Sequence, residues 1–118
     1  MRLMAALLLL IFSNVAYAES GYSASRLADA IYQAEGGSNT KYPYGVRSIN
    51  TYGDVDVARK ICLNSIRNNV KRWEKAGSPG DFVEFLSKRW CPVGADNDPS
   101  GLNRYWVKNV KFFLQQKQ

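Results

Sequence analysis

The 118-residue sequence contains no histidine, and this absence narrows the chemistry open to it. Serine and cysteine nucleophiles commonly need a histidine base, and histidine is also the commonest ligand of catalytic zinc. Catalysis would have to use carboxylates, tyrosines, lysines or a thiol. The oxygen-rich segment 95–101 lacks the glutamate that completes a calcium loop. The sequence therefore predicts no metal ion and no cofactor.

Cysteine is scarce, because Cys62 and Cys91 are the only two in the chain. In an exported protein, a single pair usually forms a disulfide. A bridge that closes a loop of about 30 residues would contribute about 3.5 kcal/mol in the chain-entropy model. We therefore expect a structural disulfide between Cys62 and Cys91. The alternative is a reactive thiol, for which the chain offers no histidine partner.

Long apolar runs are also rare, and the clearest one lies at the N-terminus. Arg2 precedes the apolar run 3–12, and Ala16-Tyr17-Ala18 forms a small-x-small cleavage site. A run of this length is shorter than the roughly 20 residues that cross a bilayer. We expect a signal peptide at residues 1–18, export to the periplasm or the extracellular space, and a single domain at residues 19–118. An anchored protein is the alternative.

Acidic residues are outnumbered, since 16 Lys and Arg stand against 10 Asp and Glu. Removal of Arg2 with the leader leaves 15 against 10, a net charge of +5. This balance suits anionic partners such as cell-wall polymers, although solubility alone would also explain it. The excess is modest and is not concentrated on one basic helix, so we expect no nucleic-acid partner and no stable membrane anchor.

Helical spacing of apolar residues predicts a mainly α protein. We expect helices at about residues 25–35, 54–76, 78–91 and 102–114, with Asp54 capping the second and Ser78 capping the third. Turn formers and β-formers in segment 38–53 predict a loop or small hairpin, which makes the class α+β with one small β element. The three tryptophans and the apolar residues of the last helix are expected mainly in the core: Trp73, Trp90, Leu102, Trp106, Val110 and Phe113.

Glu35 is the main candidate for chemistry. It falls on the last turn of the first predicted helix, directly before Gly36 and Gly37, and tyrosines follow in the next loop. Burial against aromatic groups raises the pKa of a glutamate, so that it can donate a proton near neutral pH. The alternative is an ordinary exposed glutamate at a helix C-terminus, where the helix dipole slightly disfavours its charge.

A helix that ends in Glu35, followed by a short loop and Tyr44-Gly45-Val46-x-x-Ile49-Asn50, resembles the lysozyme superfamily, including lytic transglycosylases and goose-type and chicken-type lysozymes. The resemblance covers roughly residues 27–50. It implies a lysozyme-like domain that cleaves peptidoglycan, with Glu35 as acid and base. The catalytic aspartate of the chicken type would fall on Pro43, and Arg47 and Ser48 also depart from the transglycosylase pattern.

The resemblance implies a one-acid scheme at the MurNAc-GlcNAc bond, and it leaves the product open between a hydrolysed and an anhydro sugar. Asp54 or Asp56 is the alternative second carboxylate, if it lies about 6.5–9.5 Å from Glu35 as in inverting enzymes. We expect a monomer, and a glycan-binding module without catalysis is the alternative function. Aromatic and amide side chains are the candidate sugar contacts: Tyr42, Tyr44, Asn50, Thr51 and Tyr52.

Overall fold

The computed structural model describes residues 22–47, 54–96 and 98–116, and over these residues the chain is mainly helical, as predicted. The described residues form four α-helices: α1 (Ala24–Ala34), α2 (Val55–Lys75), α3 (Phe82–Trp90) and α4 (Trp106–Leu114). Short 3-10 turns lie at Gly37–Asn39, Pro43–Gly45 and Leu102–Tyr105. The predicted signal peptide at residues 1–18 lies outside the described residues.

Segment 38–53 was predicted to be a loop or a small hairpin, and the hairpin is wrong for the part that the structure describes. Residues 38–47 contain 3-10 turns and bends, with no strand. Pro43 fixes its own φ and starts a tight turn that places Tyr44 and Gly45 at positive φ. Strand pairing needs extended backbone, so this turn accounts for the missing β element in the described part of the segment.

Each of the first three helices begins at a side-chain cap, which satisfies an N–H group that the helix itself leaves unpaired. The caps accept the backbone N–H three residues ahead: Ser23 from Arg26 (3.1 Å), Asp54 from Val57 (3.1 Å) and Asp81 from Glu84 (3.0 Å). The predicted cap of α2 at Asp54 is therefore confirmed, within one residue of the predicted helix start.

The predicted cap of α3 at Ser78 is wrong. The N–H of Ser78 donates to Trp73 O at 2.8 Å, and the N–H of Gly77 donates to Glu74 O at 2.9 Å. This pair of bonds is the Schellman motif that closes the end of α2. Ser78 therefore belongs to the end of one helix, and α3 starts at Phe82, directly after its true cap Asp81.

The last helix also differs from its prediction. Residues 102–105 form a 3-10 turn, and the α-helix begins only at Trp106. Leu102 is 61 % exposed, so it is not a core residue. Trp106 and Val110 are buried, as predicted, and Leu114 completes the buried face, while Phe113 is only partly buried. Trp90 is also only partly buried, against the expectation of a core residue.

The predicted disulfide is wrong, because Cys62 and Cys91 are both free. The prediction came from cysteine number and compartment, which do not fix the Cβ geometry that a bridge requires. Burial raises the pKa of each thiol to about 12, so both are neutral thiols near pH 7. A neutral thiol is a poor nucleophile, and this also weighs against the alternative of a reactive cysteine.

The helices pack around one apolar core. Helix α1 packs against α4 and α2, while α3 packs against α4 and α2, and the Pro43–Gly45 turn lies on α1 and α2. Arg26 ties the ends of α1 and α4 together, because its Nη2 donates to Leu114 O at 2.6 Å. The largest fully buried side chains of the core are Phe82, Ile31, Ile66, Leu86, Leu114, Val83, Val110 and Cys62.

Candidate active site

Glu35 lies at the C-terminal end of α1. Its backbone N–H donates to Ile31 O at 2.9 Å, which completes the last helical turn. Gly36 then adopts a φ of 109°, a left-handed conformation that glycine reaches without steric cost, and the helix stops. The two glycines that follow Glu35 in the sequence therefore end the helix at the predicted place, with the carboxyl side chain partly buried.

Trp106 is the hydrogen-bond partner of this carboxyl group. Its indole Nε1 donates to Glu35 Oε1 at 2.8 Å, across a sequence separation of 71 residues. Trp106 is 5 % exposed and is the first residue of α4, and α4 packs directly along α1. The packing of the first and last helices thus holds one oxygen of Glu35 in a fixed position.

Gly45 closes the site from a second direction. A Cβ atom on Gly45 would lie 2.8 Å from both Cδ and Oε2 of Glu35, a distance that real Cβ atoms essentially never show. The φ of Gly45 is also positive, at 71°. Both the approach to the carboxyl group and the backbone conformation require glycine here. The Pro43–Gly45 turn is therefore shaped to receive the Glu35 side chain.

Tyr44 anchors that turn. Its φ of 61° is unusual for a bulky residue, and its ring is 3 % exposed, with its centroid 5.1 Å from that of Tyr32. The Tyr44 hydroxyl accepts a hydrogen bond from Arg59 Nη1 at 3.0 Å, and the same nitrogen donates to Asp29 Oδ1 at 2.7 Å. Arg59 also donates through Nη2 to Ser25 Oγ at 2.9 Å. This network connects the turn to α1 and α2.

The surroundings of Glu35 raise the pKa of its carboxyl group above the ordinary value. Burial is the largest cause, since it disfavours the charged form. The hydrogen bond from Trp106 and the positive charge of Arg47 both favour the ionised form and oppose the shift, without cancelling it. A larger fraction of Glu35 is therefore protonated near neutral pH than for an exposed glutamate, as a general acid requires.

The predicted sugar-contact residues divide into three groups. Tyr42 is 41 % exposed, so part of its ring is accessible beside the site. The Arg47 guanidinium lies 4.6 Å from the centroid of this ring. Tyr44 is buried and serves as the anchor of the turn instead. Asn50, Thr51 and Tyr52 lie outside the described residues.

The two candidate second carboxylates lie at the start of α2. Asp54 Oδ1 accepts a hydrogen bond from the backbone N–H of Val57, so this side chain caps α2, as the sequence also predicted. Asp56 is exposed in the first turn of α2. Among the described residues, the charge that shifts the pKa of Glu35 is that of a cation, Arg47.

The sequence predicted Glu35 and the loop after it. It assigned Trp106 mainly to the core, with an approach to the cleft from the last helix as the alternative, and Gly45 only to a motif. Trp106 is indeed buried, yet its N–H has a carboxylate partner. Only a general rule could have indicated this pair. A buried indole N–H needs an acceptor, and a glutamate that is buried with it needs a donor.

Comparison with protein-family models gives no match, and no curated protein or solved structure matches the chain either. Among the described residues, no helix combines the length and apolar character needed to cross a membrane. Residues 22–47, 54–96 and 98–116 also hold no cluster of three or more side chains suited to binding a metal ion.

Proposed function

We propose that this protein cleaves the MurNAc-GlcNAc glycosidic bond of peptidoglycan, with Glu35 as the general acid and base. One observation carries the proposal: a partly buried glutamate with a raised pKa, held between the Trp106 indole and the backbone of Gly45. Cleavage of a glycosidic bond needs a carboxylic acid that is still protonated at working pH, and this environment favours that form.

The position of the acid proton follows from the contacts. Oε1 of Glu35 accepts a hydrogen bond from the Trp106 N–H. In the neutral acid Oε1 is therefore the carbonyl oxygen, and the proton is on Oε2. Glu35 gives this proton to the glycosidic oxygen as the bond to the sugar carbon breaks. The carboxylate then takes a proton from the group that attacks the sugar cation, which restores the acid and balances the reaction.

A single acid is sufficient for this scheme when the substrate itself stabilises the cation, as in the lytic transglycosylases that the sequence resembles. If the attacking group is a hydroxyl of the same sugar, the product is an anhydro sugar. If it is water, the product has a free reducing end, as with a muramidase. The capping role of Asp54 supports the one-acid scheme over a mechanism in which Asp54 is the second carboxylate.

The cellular location is part of the proposal. The apolar N-terminal segment with its small-x-small site supports export, and peptidoglycan lies outside the cytoplasmic membrane. The net positive charge suits a substrate that carries carboxylates. We propose that the mature chain begins near Glu19 and acts as a monomer in the cell-wall compartment.

A glycan-binding module without catalysis is the second candidate. The observation that favours it is the close fit of Trp106 and Gly45 around Glu35, because a carboxyl group that only joins α1 to α4 would show the same contacts. This candidate predicts saturable binding to cell-wall glycan with no soluble product.

Mass spectrometry of the soluble products from purified peptidoglycan separates the two candidates. The wild-type chain should release anhydro-muropeptides or reducing-end muropeptides, and the Glu35→Gln variant should release neither. Binding to the glycan by both proteins without any product would refute catalysis and establish the binding module.

A further inference from the structure

A second feature lies beside the acid. A groove of about 420 Å³ runs between α2, α3 and the segment that follows the Pro43–Gly45 turn. Gly45, which contacts the Glu35 carboxyl group, also lines this groove, so the two sites adjoin. We name it the Trp90 groove and define it by six side chains: Arg47, Ile61, Ser65, Asn69, Arg89 and Trp90.

The Trp90 groove carries positive charge and no lining carboxylate. Arg47 and Arg89 are both exposed, and neither makes a salt bridge with any described residue. The Arg47 guanidinium lies over the Tyr42 ring, a contact that does not use its N–H groups. Guanidinium groups bind carboxylates through paired hydrogen bonds, so the groove suits an anionic ligand.

Asn69 adds a second, independent feature. Its side chain is 6 % exposed, and its Nδ2 donates to Ser65 O at 2.8 Å. Its Oδ1 has no hydrogen-bond partner, although this atom is buried. A buried acceptor without a partner costs stability, and such a residue on an otherwise apolar helix face calls for an explanation. A rotation of the amide that turns Oδ1 towards the groove would let a ligand N–H supply the missing donor, in exchange for the Nδ2 hydrogen bond to Ser65 O.

We propose that the Trp90 groove binds the peptide stem of peptidoglycan. Arg47 and Arg89 bind the stem carboxylates, Asn69 accepts an amide N–H, and Trp90 and Ile61 contact the apolar parts of the peptide. This inference rests on the proposed function and narrows the substrate to glycan that carries peptide stems, with the stem held beside the bond that Glu35 cleaves.

Binding is measured with the full mature chain carrying Glu35→Gln, so that no turnover interferes. The probes are a disaccharide-tetrapeptide muropeptide, the same disaccharide without peptide, and the free tetrapeptide. We expect the muropeptide to bind at least about tenfold more tightly than the bare disaccharide, by calorimetry. Adding Arg89→Gln should remove most of this difference, and higher salt should weaken it.

Lys88→Gln is the matched control. It removes the same charge from the neighbouring residue. Lys88 and Arg89 both line an adjacent pocket beside Arg72 and Glu84, but only Arg89 also lines the Trp90 groove. It should leave the preference for the peptide unchanged. Equal affinity for the two disaccharides, or equal effects of Arg89→Gln and Lys88→Gln, would overturn the groove as the stem site.

Turnover by the wild-type chain separates failure of the groove from failure of the proposed function. Cleavage of intact and of peptide-stripped glycan at equal rates would overturn the inference and leave catalysis standing. Arg89-dependent binding of the free tetrapeptide without any cleavage would support the groove and count against the proposed reaction.

Discussion

Two regions of the molecule contain the same three residue types, glutamate, glycine and tryptophan, in different roles. The acid region contains Glu35, Gly45 and Trp106, and the junction region contains Trp73, Gly80 and Glu84, where α2 gives way to α3. The Trp106 indole donates to a carboxylate at 2.8 Å, whereas the Trp73 indole donates to Pro79 O at 3.2 Å. In the junction region the Trp73 indole N–H meets a backbone carbonyl and Glu84 is exposed, whereas in the acid region the Trp106 N–H and Gly45 converge on one carboxyl group.

The glycines and glutamates show the same contrast. A Cβ on Gly45 would meet Glu35 at 2.8 Å, whereas one on Gly80 would meet nothing within 4 Å, although both residues have positive φ. Glu84 is exposed in the first turn of α3, while Glu35 is partly buried. A helix-end glutamate, a left-handed glycine and a buried tryptophan are therefore individually structural, and their convergence makes the candidate site.

The largest expected effect is on the rate of cleavage, and it separates Glu35 from Glu84. Glu35→Gln should lower the rate of peptidoglycan cleavage by about 10²–10⁴-fold, because it removes the proton donor. The amide oxygen of Gln can still accept the Trp106 N–H, so the fold should persist. Turbidity loss of peptidoglycan suspensions measures the rate, and circular dichroism checks the fold. Glu84→Gln should cleave at the wild-type rate, and full activity in Glu35→Gln would contradict the proposed mechanism.

The glycines test the geometry. Gly80→Ala should cost about 1–2 kcal/mol in the free energy of unfolding, the ordinary strain of a left-handed non-glycine residue. Gly45→Ala should cost more, because its Cβ also displaces the Glu35 carboxyl group, and activity should fall by roughly 10²-fold. Urea unfolding and cleavage rates measure both. Equal losses of stability in the two variants, with activity retained in Gly45→Ala, would show that the close contact is unimportant.

The tryptophans test the hydrogen bond. A general acid loses activity as the pH rises through its pKa. Trp106→Phe removes a donor that favours ionised Glu35, so the pKa of Glu35 should rise further and the alkaline limb of the rate profile should move to higher pH. Trp73→Phe removes a hydrogen bond to a backbone carbonyl and should lower stability by about 1 kcal/mol. It should leave the pH profile in place, and a shift in both variants would indicate a general loosening of the fold.

The smallest expected effect is on stability. Burial raises the folded-state pKa of Glu35 above its unfolded value of 4.5, so its contribution is fully present below about pH 4.5 and is lost as the pH rises through the folded pKa. Relative to Glu35→Gln, the wild type should therefore lose stability between acid and neutral pH. Each 1 kcal/mol corresponds to about 4–8 °C in Tm for a domain of this size. Parallel Tm curves for the two proteins across this range would contradict the raised pKa.

Helix boundaries were largely predictable, because caps and glycine stops act over three or four residues. Asp54 as the start of α2 and Gly36 as the stop of α1 were both predicted correctly. The error at Ser78 has a local cause too, since the same residue type can cap one helix or close the previous one. Only the hydrogen bond to Trp73 O decides between these roles.

The candidate site was predictable in one residue and not in its surroundings. Glu35 was found from its place at a helix end, but its contact with Trp106 depends on α4 packing along α1, and no local pattern encodes that contact. The disulfide failed for a related reason, since a cysteine count carries no information on the relative orientation of α2 and the end of α3. The buried Asn69 in the Trp90 groove was likewise hidden within a polar stretch of α2.

By itself, the sequence determined that the chain is mainly helical, that histidine-based catalysis is excluded, and that α1 ends on a glutamate followed by glycines. These properties depend on composition, periodicity and capping, which act locally along the chain. Only the tertiary structure decided that Glu35 meets Trp106 and Gly45, that the cysteines stay free, and that a cationic groove adjoins the acid. Desolvation and hydrogen-bond partners depend on which distant helices pack together, and that packing sets the pKa on which the proposed reaction depends.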